Sequence, residues 1–104
     1  MAIRIDCTAP GYEECWIEYR EESWPFKDRR RILSSVSDIE TLEIILGYIT
    51  AWNLKDVDGK EVPFVPSIDS LDNVDDTRLV SWIVASWFMA RAERSALPKA
   101  PSKP

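Results

Sequence analysis

The stretch SDIETLEIILGYITAWNLKDVDG, residues 37–59, decides the reading of this chain. Ser37 is placed to accept a hydrogen bond from the first turn of a helix, and Glu40 to reach back to the Ser37 N–H, which is a capping box. Asp38 and Glu40 put negative charge at the positive end of the helix dipole. Ile39, Leu42, Ile45, Leu46, Ile49 and Trp52 recur at helical spacing. The spacing predicts a helix over about 37–53, ending at Asn53. Asp58-Gly59 then reads as a tight turn, because both residue types tolerate positive φ.

Around this centre the chain has the length of one domain, 104 residues, with 45% apolar residues and five Trp to build a core. Upstream, Ile3, Ile5 and Cys7 alternate with Arg4 and Asp6, and Cys15, Ile17 and Tyr19 alternate with Trp16, Glu18 and Arg20. Pro10-Gly11 lies between the two runs, so they predict a β-hairpin with Cys7 opposite Cys15. Pro25 forces Trp24 into extended backbone. Residues 28–36 fit a short helix or a third strand, and the Arg29-Arg30-Arg31 run reads as a solvated or salt-bridged face. Downstream, 54–61 is a turn or tiny hairpin, and 67–71 fits one helical turn. Asp75 or Asp76 caps a last helix over about 76–95. Leu79, Val80, Ile83, Val84, Trp87 and Ala90 form its main face. The expected fold is α+β: an N-terminal hairpin or small antiparallel sheet packed on two main helices. It forms a single domain over 1–96, followed by a flexible Pro- and Lys-containing tail over 97–104.

Net charge is −5, unevenly spread. Residues 37–76 hold ten acidic and two basic groups, whereas 77–104 hold one acidic and five basic groups. That polarity suits head-to-tail association and argues against nucleic-acid binding by the whole domain. The first residues lack a basic start followed by an apolar run, and no apolar run approaches the ~20 residues of a membrane helix. A cytosolic protein with no membrane association is expected, with both cysteines as thiols.

Histidine is absent, which removes the commonest general base and most zinc sites. The cysteines lack C-x-x-C spacing. With Gly59 as the sixth residue of a calcium loop, the first and twelfth would be Leu54 and Val65, which cannot ligate. Neighbouring acids such as Glu13-Glu14 and Glu21-Glu22 point to opposite faces of an extended chain. A non-enzymatic protein without cofactor or metal is expected.

On the last helix Trp82, Ala85 and Met89 lie away from the main face, and so does Phe88. A helix apolar most of the way round is either central to a core or covered by a partner. On the second reading Trp82, Ala85, Phe88 and Met89, flanked by Arg78 and Arg91, are the candidate partner-binding residues.

Trp52-Asn53-Leu54-Lys55-Asp56-Val57-Asp58-Gly59-Lys60 resembles a motif of small tailed-bacteriophage proteins of the tail-assembly-chaperone type. The shared pattern is an extended N-terminal segment, an apolar helix ending in Trp-Asn-Leu, an Asp-x-Asp-Gly turn, a proline-bearing loop and an apolar last helix. The Cys pair and the Arg29-Arg30-Arg31 run stand outside it. The charge polarity and the apolar patch on the last helix predict weak homo-oligomers. The resemblance implies a non-catalytic protein of the host cytoplasm that binds a helical tape-measure-type or tail-tube partner. A structural subunit retained in the virion is the alternative.

Overall fold

The computed structural model describes residues 2–95. A four-stranded antiparallel sheet of order β1-β2-β3-β4 (Ile3–Asp6, Trp16–Tyr19, Ile49–Lys55, Glu61–Val62) packs with three helices, α1 (Phe26–Ser34), α2 (Asp38–Leu46) and α3 (Ser81–Ser95). The protein is therefore α+β, as expected. The tail expected over 97–104 lies outside the described residues.

The hairpin forms as its alternation predicts. Ile5 faces Ile17 and Arg4 faces Glu18, and beyond the paired residues the Cys7 N–H donates to the Cys15 carbonyl at 2.9 Å. Both cysteines are free, buried thiols. Inward positions Ile5, Ile17, Tyr19, Trp52 and Leu54 join the core, while Arg4, Asp6, Trp16 and Glu18 face outward. On that outer face Arg4 pairs with Asp6 at 3.0 Å and lies 4.7 Å from the Trp16 ring centroid.

The helix expected over 37–53 stops at Leu46, and the second half of the stretch is strand β3. Ser37 caps α2 by accepting from the Glu40 N–H at 3.4 Å. The return half of the capping box does not form: the Ser37 N–H is taken by Ser35 Oγ, and Glu40 instead binds Arg31 of α1 at 3.3 Å. Gly47 ends the helix, its N–H reaching back to the Glu43 and Ile44 carbonyls. The residues after Gly47 suit a strand better than a helix: Ile49 and Thr50 are β-branched and Tyr48 and Trp52 aromatic. The backbone groups of 49–53 find their partners on β2, with Ile17 opposite Trp52 and Trp16 opposite Asn53. Asn53 is thus mid-strand, not a helix end, and its side chain donates to the Glu14 carbonyl.

Residues 28–36 resolve as helix, since α1 covers most of them. Asp56–Lys60 closes the β3–β4 hairpin. Asp56 Oδ1 accepts from the N–H of Asp58 and of Lys60, both at 2.9 Å, and Gly59 sits at φ 81°. Residues 68–71 form one short helical turn. Asp75 caps the last helical segment by accepting from the Arg78 N–H. The segment opens with a wide turn, Asp76–Val80, in which Val80 N–H reaches the Asp75 carbonyl, and continues directly into α3.

Where α3 crosses β1 and β2, the Tyr19 hydroxyl and Ser86 Oγ meet at 2.6 Å in the core. Ser86 also donates to the Ile83 carbonyl at 2.7 Å. Tyr19→Phe therefore leaves Ser86 bonded and costs about 1 kcal/mol. Ser86→Ala leaves a buried hydroxyl with only the long 3.4 Å contact to the Ile83 carbonyl, and costs about 1–3 kcal/mol. In urea unfolding the single variants rank in that order, and the double variant costs less than their sum.

Candidate functional site

Two surfaces meet at the C-terminal half of α3. The first is a strip on its outer face. Ala85, Phe88, Met89 and Ala92 occupy i, i+3, i+4 and i+7 and are all exposed, with Phe88 at 48% and Met89 at 42%. Two large apolar side chains between two alanines form a ridge that fits the groove of another helix.

Trp82 does not belong to this strip. It is 7% exposed and packs in the core, with Leu79, Ile83, Trp87 and Ala90. Rotation about the helix places Trp82 away from Ile83, but both are buried, since α3 packs against α2 as well as against β1 and β2. Nor do the flanking cations form one patch. Arg78 lies beside the β3–β4 turn, whereas Arg91 lies at the far end of the helix. Thirteen residues of helix separate them by roughly 20 Å.

The second surface is a cleft of about 440 Å³ between the start of α1 and the end of α3. Trp24, Tyr48 and Trp87 line its aromatic floor, and Arg29, Arg91 and Arg94 stand around it. Trp24 reaches this position because Ser23 adopts a left-handed φ of 64°, which turns the chain back, and because Trp24 Nε1 donates to the Arg20 carbonyl at 2.7 Å. The Trp24 ring lies 4.5 Å from Tyr48 and 6.0 Å from Trp87, centroid to centroid. Arg20 sits over Tyr48 at 4.6 Å and Arg94 over Trp24 at 5.7 Å. Among the described residues none of Arg29, Arg91 and Arg94 is in an ion pair. In the sequence Trp24 and Tyr48 fall in separate connecting segments, before α1 and between α2 and β3, and neither carries a local sign of a shared role. Only the β2–β3 pairing, which sets Tyr48 beside Arg20, brings them together; the Arg20 N–H donates to the Tyr48 carbonyl at 3.0 Å.

The Tyr48 hydroxyl donates to Asp28 Oδ2 at 2.9 Å. Burial, then the hydrogen bond and the charge of Asp28, push its phenol up to about 12. Burial also pushes the Cys7 and Cys15 thiols up, which keeps them protonated and poor nucleophiles. Glu18 lies on the outer sheet face opposite Arg4, and Glu22 is exposed. No group of three or more His, Cys, Asp and Glu among the described residues is arranged to hold a metal ion. Among those residues no helix is long and apolar enough to cross a membrane.

No protein-family model, curated protein or solved structure matches this chain.

The division between core and strip is measurable. Trp82→Ala removes a buried indole and costs about 3–5 kcal/mol, whereas Phe88→Ser with Met89→Ser changes stability by about 1 kcal/mol or less; urea unfolding reads both. The fold also favours the neutral Tyr48 phenol, so its contribution is complete below about pH 10 and is lost as pH rises through about 12. In a spectrophotometric titration, Tyr48→Phe removes one late-ionising phenol.

Proposed function

We infer that this protein works by binding another protein, and that the outer strip of α3 receives an amphipathic helix of that partner. The carrying observation is the exposed run Ala85, Phe88, Met89, Ala92 on a helix whose opposite face is fully engaged in the core. Covering the strip removes apolar surface from water, at about 25 cal/mol for each Å². Anchors at i, i+3, i+4 and i+7 match the repeat of a second helix laid alongside.

Within this class the reading we favour is a tail-assembly chaperone holding a long tape-measure-type protein in the host cytoplasm. It is supported by the resemblance over residues 52–60, of which the Asp-x-Asp-Gly turn is formed here as a rigid hairpin end. The Trp-Asn-Leu half of the motif lies in strand β3 rather than at a helix end, so the strip carries the reading and the motif only supports it. Many weak copies along one long helix would act through avidity.

The test is cross-linking mass spectrometry in the cells that naturally make the protein. Cross-links to a long helical partner should converge on residues 85–92 and disappear in the Phe88→Ser/Met89→Ser variant. Unchanged cross-links in that variant refute the assignment. Purified particles should contain few copies; abundant copies would make this a permanent structural subunit instead.

A further inference from the structure

We propose that copies of this protein associate head to tail, with the Asp56–Gly59 hairpin end of one copy seated in the arginine-rimmed aromatic cleft of the next. This contact is separate from the α3 strip and does not depend on what covers that strip.

The two halves of the contact lie at opposite ends of the molecule. Tyr48, in the cleft, immediately precedes β3, and Asp56 immediately follows it. Seven strand residues span roughly 20 Å. The last helical segment gives the same answer: Arg78, near its start, lies beside Lys55, Asp56 and Val57, while Arg91 and Arg94, near its end, border the cleft. A hairpin end therefore cannot reach the cleft of its own copy.

Their chemistry is complementary. Val57 projects from the hairpin end at 61% exposed, between two aspartates. The Asp58 carboxylate is exposed and has no partner among the described residues. Lys55, Lys60 and Arg78 also flank the turn. The further carboxylates at this end come from Glu14, which lines the same surface, and from Asp75, two residues after Asn73, whose carbonyl accepts from the Val57 N–H at 2.8 Å. Across the contact, the cleft offers the half-buried Trp24 ring and the exposed Phe26 ring for Val57 and the guanidiniums of Arg29, Arg91 and Arg94 for the carboxylates.

Both partners are also held in place before they meet. Asp56 Oδ1 fixes the hairpin end through two backbone N–H groups, and the Trp24 indole is anchored on Arg20. Little ordering entropy is then lost on contact. A contact between two different surfaces leaves one of each free, so it propagates into rings or open chains.

Charge exchange provides the test, read by analytical ultracentrifugation over a range of concentrations. The wild-type protein should show mass rising with concentration at about 0.05 M salt and much less at about 0.5 M, where screening shortens the Debye length. Arg91→Glu alone and Asp58→Arg alone should each weaken association about tenfold or more. An equimolar mixture of the two variants should restore it, because each variant's hairpin end then complements the other's cleft. Arg29→Glu and Val57→Ser serve as second variants, and circular dichroism confirms the fold of each. Phe88→Ser/Met89→Ser should leave self-association unchanged, which separates this contact from the α3 strip. Three outcomes each overturn the proposal: a wild-type monomer up to about a millimolar, a response to Arg91→Glu without one to Asp58→Arg, or a mixture that stays monomeric.

Discussion

Where β2 and β3 pair, Ile17 faces Trp52 and Trp16 faces Asn53, so the inward residues of both strands meet one layer of helices. This ladder fixes more than the sheet. It withdraws residues 49–55 from the helix that precedes them and sets Tyr48 beside Arg20 at one end. At the other end it carries the chain into the Asp56–Gly59 turn. The β-branched and aromatic side chains of this strand favour extension, and pairing with β2 satisfies backbone groups that would otherwise lie buried and unpaired.

Above this sheet α3 has two jobs that its composition alone does not separate. One side seats Leu79, Trp82, Ile83, Trp87 and Ala90 in the core and bonds to Tyr19 through Ser86. The other side leaves Phe88 and Met89 in water. Phe88 packs edge-on against Trp87 at 5.0 Å, so the exposed strip rests on the aromatic cluster beneath it. A rigid base of this kind keeps the strip in one shape, which lowers the ordering cost of covering it.

The cleft shows how the same framework gathers charge. Net charge is −5, yet Arg29, Arg91 and Arg94 converge on one aromatic surface without a carboxylate partner among the described residues. Stacking over Phe26 and Trp24 holds two of these guanidiniums in place while leaving their donors free. The hairpin end with Asp56 and Asp58 lies a strand's length away. In the proposed head-to-tail contact this separation of charge would steer the encounter before any apolar contact forms.

By itself the sequence determined the elements whose causes are local. The alternation around Pro10-Gly11 specified the N-terminal hairpin, Ser37 the start of α2, Asp75 the start of the last helical segment, and Asp58-Gly59 the turn. Each rests on a side chain or backbone preference acting within a few residues. Tertiary structure alone decided the fate of Tyr48–Lys55, because Ile49 and Trp52 fit a helical face as well as a strand face until β2 is present to pair with them. It also decided that Trp82 is core while Phe88 is surface, since only the elements packed around α3 distinguish two apolar residues on one helix. The cleft was invisible in the chain for the same reason: Trp87, Arg91 and Arg94 share one face of α3, but Trp24 with Arg29 and Tyr48 come from two other segments, and no local rule links the three.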